Sequence, residues 1–189
     1  MKGVVLAGGK GSRLYPLTRV TNKHLLPVYD RPMIFYPIQT LVDAGIREII
    51  VVTGGQNSGD FLRLLSNGKE FGLHLIHYTY QEGEGGIADA LRLAQPFVEN
   101  DKICVVLGDN IIENNIIAAK ESFEKQKRGA HILLKEVHDP IRSSPPCSDD
   151  HTDRMFHPTC SCAENIACPG IWNREHRYDC RALCGEPKL

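Results

Sequence analysis

The chain of 189 residues sets 22 Lys and Arg against 23 Asp and Glu, a formal net charge of -1. That length suits one α/β domain with a sizeable core, and near-neutral charge gives no global field favouring nucleic acid or a membrane surface, so any phosphate site must be local. No apolar run is long enough to span a bilayer, and the first residues enter a strand at once, which leaves no room for a signal peptide and makes a cytoplasmic protein the expectation.

The first element is a strand over Lys2–Ala7, a short apolar run. It ends in Gly8-Gly9-Lys10-Gly11-Ser12-Arg13. A glycine-rich turn that carries two cations at a strand end reads as a place where backbone amides and side chains meet phosphate. Spacing excludes a Walker A loop, because Gly11 stands where Ser or Thr must follow Gly-Lys. It also excludes a dinucleotide fingerprint, because Leu14 stands where the third Gly is needed. The competing reading is a tight turn with solvated charges.

Further along, the pattern predicts a helix over 33–44, a strand over 48–53, a helix over Ser58–Leu65 and a strand over 73–80. A helix over 86–95, a strand over Ile103–Leu107, a half-exposed helix over 116–127 and a strand over 130–136 follow. Strand alternating with helix implies an α/β fold of Rossmann type: a mostly parallel sheet covered by helices on both faces. Ligands bind outside the carboxyl ends of such strands. Three loops arrive there: residues 8–13 after the first strand, Gln81 after the third and Asp109 after the fourth.

After Pro140 the alternation stops. Residues 141–189 hold Pro145, Pro146, Pro158, Pro169 and Pro187, and six of the seven cysteines, Cys147, Cys160, Cys162, Cys168, Cys180 and Cys184. A structureless connection of this length is improbable inside a compact domain. The domain expectation is therefore residues 1–140, followed by an atypical Cys/Pro-rich tail that is irregular, or an out-of-frame product of a shifted coding sequence. A zinc module is the weaker alternative, since Cys160-Ser161-Cys162 is too tight a pair and His157 and His176 do not form one.

Four motifs stand in order over residues 1–140. They are Gly8-Gly9-Lys10-Gly11-Ser12-Arg13-Leu14-Tyr15-Pro16-Leu17-Thr18, Asn22-Lys23-His24-Leu25-Leu26-Pro27-Val28, Gln81 with Gly85-Gly86-Ile87-Ala88, and Val106-Leu107-Gly108-Asp109-Asn110. This stretch strongly resembles the sugar nucleotidyltransferases, and within them the glucose-1-phosphate thymidylyltransferases. The resemblance implies nucleotidyl transfer from dTTP to glucose 1-phosphate, giving dTDP-glucose and pyrophosphate for dTDP-sugars of the rhamnose type. A sugar-phosphate oxygen attacks the α-phosphorus and pyrophosphate leaves in line, chemistry that depends on positioning and charge neutralisation.

By the same resemblance Arg13 and Lys23 are the catalytic cations, Arg13 on the leaving pyrophosphate and Lys23 at the reacting centre. Leu6, Gly8, Gly9, Gly11, Ser12, Gln81, Gly85 and Gly86 bind the nucleotide, Leu107 lies on the sugar side, and Asp109 holds Mg²⁺. His24 is structural, since the reaction needs no general base. Asp89 stands where the family commonly carries Gln and reads as a change to the helix surface.

The family also supplies a second metal-binding Asp and a Glu-Lys-Pro segment that grips the sugar phosphate. Neither is recognisable here, so the sugar-binding half reads as missing or replaced, and the chain as catalytically incomplete. Two alternatives remain: an enzyme using UTP, CTP or GTP, and a non-catalytic nucleotide-binding fragment. Homo-oligomers are the family's habit, but contacts made by the missing half would be lost.

Overall fold

The strand Lys2–Ala7 (β1) is the hub of the fold, because its two faces feed two separate cores. In this computed structural model, residues 1–9, 11–55, 57–83 and 85–134 are described. Met1–Glu124 forms one unit and Lys125–Leu189 a second, of which only residues 125–134 are described.

After β1 the chain makes three short 3-10 turns, Ser12–Leu14, Leu17–Arg19 and Lys23–Leu25. A two-residue antiparallel ribbon follows, Pro27–Val28 (β2) with Arg31–Pro32 (β3). Next come helix Phe35–Asp43 (α1), strand Glu48–Gly54 (β4), helix Ser58–Leu65 (α2), the 3-10 turn Lys69–Phe71 and strand Leu75–Gln81 (β5). Helix Gly86–Val98 (α3), strand Ile103–Leu107 (β6) and helix Ile117–Lys125 (α4) are the last elements among the described residues. Four strands form one sheet in the order β5-β4-β1-β6, all parallel, with Val5 opposite Val51 of β4 and Val106 of β6.

Side chains alternate across a strand, so β1 sends Val5 and Ala7 one way and Val4 and Leu6 the other. Val5, Ala7, Ile49, Val51 and Val106 pack with Ile34, Ile38 and Leu41 around α1 and with Phe61 and Leu65 of α2. Val4, Leu6, Ile50 and Val52 pack with Ala90 and Ala94 of α3. Helices therefore cover both faces, as the alternation of elements implies. Ile34, Ile38 and Leu41 are fully buried at helical spacing, each worth about 1.5–3 kcal/mol in apolar area removed from water. Gly45 (φ +80°) stops α1, its N–H donating to Val42 O while Ile46 N–H returns to Leu41 O.

Three expectations are corrected. The strand expected over 130–136 is not formed over 130–134, where Ile132, Leu133 and Leu134 are exposed; no strand pairs with that stretch among the described residues, and an isolated strand leaves its backbone groups to water. The helix expected to end at 95 runs through Pro96 to Val98, because packing of Ala90 and Ala94 on the sheet outweighs one missing backbone donor. The strand expected from 73 begins at Leu75, since Leu73 is buried beside the Gly68 turn and its N–H bonds to Gly68 O. The cysteines and prolines of 141–189, and with them the zinc alternative and the irregular tail, lie outside the described residues.

Candidate nucleotide site

The crevice follows from strand order. β4 and β5 lie on one side of β1 and β6 on the other, so the loops after β1 and β6 part at the carboxyl edge, where open α/β sheets place ligands. The two loops remain tied by Gly108 N–H donating to Leu6 O at 2.8 Å.

The loop after β1 is flanked on two sides. On one side is Gln81, the last residue of β5, buried at 6% exposure. Its Oε1 lies 2.7 Å from where a Cβ on Gly8 would stand, so only glycine fits there without displacing the amide. On the other side runs the Lys23 stem. A Cβ on Gly11 would meet Lys23 Cβ at 2.8 Å and Thr18 Cγ2 at 3.0 Å, and Gly11 sits at φ +63°. The turn is held from within by Thr18 Oγ1 donating to Gly11 O.

Lys23 continues past Gly9, with Nζ 3.7 Å from that residue's would-be Cβ, and ends on Asp109 Oδ2 at 2.6 Å. Asp109 stands beyond β6 with its side chain 37% exposed. Burial pushes its carboxyl up, but the Lys23 hydrogen bond and charge, with His24, outweigh burial and hold it below the ordinary value, so it is ionised at neutral pH. One ionised carboxylate at the lip of a crevice suits Mg²⁺, which takes one or two protein carboxylates and fills its octahedron with phosphate oxygens and water. Among the described residues no group of three or more His, Cys, Asp or Glu forms a complete protein cage.

His24 lies beneath this floor. It is 2% exposed, its Cδ2 is 2.7 Å from where a Cβ on Gly108 would lie, and its Nδ1 is 2.7 Å from Asn22 Oδ1. Because Asn22 Oδ1 also accepts from the His24 N–H, Nδ1 carries the proton. Burial first, then Lys23, lowers its pKa to about 4, so the ring is neutral and supports the Lys23 turn.

Of the residues singled out in the sequence, the structure brings Gly8, Gly9, Gly11, Lys23, Gln81 and Asp109 together. Arg13 and Ser12 lie on the exposed turn that continues the loop, and Gly85 and Gly86 open α3 below Gln81. Leu6 and Leu107 turn their side chains into the α3-side core, leaving backbone as their contribution to the crevice. Asp89 was singled out only as a departure from the family's pattern, with no role in the site. Its Oδ2 accepts from Gln81 Nε2 at 3.2 Å, so it faces the crevice wall and is more than a change to the helix surface. The signal in the sequence was the departure itself, a carboxylate where the resemblance implies an amide, in what the structure shows to be the first turn of α3.

A parallel sheet with a glycine loop at its switch point, a lysine laid along that loop from a separate turn and a carboxylate across from it place the chain among the α/β folds that take ligands at the carboxyl ends of their strands. Residues 2–142 match the nucleotidyl transferase family, and the chain belongs to that family. It is 44% identical over 143 residues to a glucose-1-phosphate thymidylyltransferase of Neisseria meningitidis serogroup A, covering 75% of this chain and 49% of the relative. A protein of the same description from Actinoplanes is 41% identical over 140 residues, covering 74% and 46%. A Bacillus anthracis structure, described as a glucose-1-phosphate thymidylyltransferase in complex with a sucrose, superposes with a TM-score of 0.72 at 49% identity, covering 74% of this chain and 56% of that one. The chain thus spans about half the length of the curated relatives it matches. No helix among the described residues is long and apolar enough to cross a membrane.

Proposed function

We propose that residues 1–140 form the nucleotide-binding domain of a glucose-1-phosphate thymidylyltransferase that joins dTTP to glucose 1-phosphate, releasing pyrophosphate, in the cytoplasm. The observation that carries this reading is the continuous contact from Gln81 Oε1 across Gly8 to Gly11, along the Lys23 stem, to Asp109. In this reading it sets a base reader, a phosphate loop, a cation and a metal ligand side by side.

In this reading the amides of Gly8, Gly9 and Gly11 take phosphate oxygens, and the Arg13 fork binds the leaving pyrophosphate in two parallel hydrogen bonds. Lys23 swings from Asp109 onto the triphosphate, which frees the carboxylate. Mg²⁺ held by Asp109 would neutralise triphosphate charge. His24, neutral and buried, holds the Lys23 turn in place and moves no proton. The sugar-phosphate oxygen is the nucleophile, and no side chain needs to be one.

Pyrophosphate release is measured with the full chain, dTTP, glucose 1-phosphate and Mg²⁺, with Asp109→Ala as control. Release that disappears in the control supports the reading. Failure to release pyrophosphate, in a protein that dTTP still stabilises, favours the second reading, nucleotide binding without turnover. Release that persists undiminished in Asp109→Ala overturns the assignment of Asp109.

A further inference from the structure

We propose that Asp89 is a positioning residue that fixes the polarity with which Gln81 meets a nucleobase, and so selects bases that offer a ring N–H, thymine and uracil, over cytosine. The inference rests on the nucleotide-binding reading above and goes beyond it, because a glutamine by itself carries no such preference. A free carboxamide flips, presenting oxygen to a donor or nitrogen to an acceptor.

At Gln81 that freedom is removed. Both protons of Nε2 are used: one goes to Gly86 O at 3.0 Å, the other to Asp89 Oδ2 at 3.2 Å. A flipped amide would set its oxygen against a carbonyl and a carboxylate in a site where Gln81 is 6% exposed. Oε1 is therefore turned toward Gly8, at the crevice.

Asp89 is itself held. Its Oδ1 takes the Arg92 guanidinium at 2.7 Å, one turn along α3, leaving Oδ2 for the amide. Asp89 also lies in the first turn of α3, where the helix dipole favours a negative charge. Glycine at position 85 makes room for it: a Cβ there would stand 2.5 Å from Oδ2. Gly85 thus serves the carboxylate as well as the turn.

An oxygen held toward the crevice pairs with the N3–H of thymine or uracil. Cytosine offers a bare N3, so two acceptors would face each other unpaired, an arrangement a polar site rejects strongly. The pair dUTP and dCTP isolates this edge, since the two share deoxyribose, phosphates and size.

Dissociation constants of dUTP and dCTP are measured for the full chain, Asp89→Ala and Asp89→Asn. The parent binds dUTP more tightly. In Asp89→Ala the ratio falls about tenfold, the worth of one charge-assisted hydrogen bond. In Asp89→Asn, whose Oδ1 accepts the same bond, it returns to within about threefold of the parent. A ratio left unchanged by Asp89→Ala, with both nucleotides weakened alike, overturns the proposal, because a merely structural residue moves both together.

A second readout needs no nucleotide. The Gln81 side-chain NH₂ protons, followed by ¹⁵N NMR, exchange slowly with water in the parent and faster in Asp89→Ala. Fast exchange in the parent overturns the positioning role. Slow exchange that Asp89→Ala abolishes, in a chain that binds neither nucleotide, upholds the positioning role and removes the nucleotide reading instead.

Discussion

Gly11→Ala tests the contact on which the site depends. The substitution has two costs that the structure separates. A left-handed backbone at φ +63° costs a residue with a Cβ about 1–2 kcal/mol. The new methyl would also stand 2.8 Å from Lys23 Cβ and 3.0 Å from Thr18 Cγ2, both near the backbone and unable to swing away. Overpacking of that kind costs about 1–3 kcal/mol more, for a total of about 2–5 kcal/mol.

Two controls divide that total. Gly45 has φ +80° with nothing within 4 Å of its would-be Cβ, so Gly45→Ala carries strain alone, about 1–2 kcal/mol. Gly9 meets only the end of the Lys23 chain at 3.6 Å, an ordinary contact, so Gly9→Ala leaves stability within about 0.5 kcal/mol. Urea unfolding of the three variants measures the differences. Gly11→Ala also pushes the Lys23 stem off the loop, so dTTP stabilises that variant less than it stabilises Gly45→Ala. Equal unfolding midpoints for Gly11→Ala and Gly45→Ala, with equal stabilisation by dTTP, would refute the packing of Lys23 against the loop.

His24 gives a pH signature. Its folded pKa of about 4 lies below the unfolded 6.5, so the unfolded chain binds the extra proton between those values and stability is lost on acidification, by about 3 kcal/mol across the window. Unfolding curves at pH 7.5 and 4.5 should show that loss in the parent and much less of it in His24→Asn. Lys23→Met keeps the stem and removes the ammonium; the part-exposed pair it breaks changes stability by about 1 kcal/mol or less, while dTTP affinity falls at least about tenfold, as calorimetric titration would read. Phe61→Ala empties a fully buried position between α2 and the sheet, and should cost about 3–5 kcal/mol in urea unfolding.

The elements that sequence reading placed to within a residue are those whose pattern is self-sufficient. β1, α2 and β6 have the expected bounds, and β4 extends one residue further to Gly54, because buried parallel strands are continuous apolar runs and α2 sets Phe61 and Leu65 four apart. The 3-10 turns and the β2-β3 ribbon were illegible, since two or three residues carry no period. Helix α3 was cut short at Pro96 because local propensity says nothing of what Ala90 and Ala94 bury. In the site, the glycine loop, Lys23, Gln81 and Asp109 were marked by motif, and the meeting of all but Lys23 was marked by strand ends. Asp89 was marked only as a departure from the motif, because its meaning lies in a hydrogen bond to a side chain eight residues away that exists only once β5 and α3 are packed.

The register of β1 carries a consequence for how the molecule is made. Its Val5 pairs with Val51 on one edge and Val106 on the other. A chain leaving the ribosome can close the first edge as soon as α1 and β4 have emerged, and β5 with Gln81 next. The second edge waits for β6, roughly fifty residues later in synthesis at about 5–20 residues per second. Gln81 precedes Asp109 by about 28 residues, so for about 1–6 seconds a nascent chain holds the glycine loop and Gln81 but has no Asp109, and its Lys23 has no carboxylate to rest on. A nucleotide present in that interval would meet a reader of bases before it met a complete phosphate site.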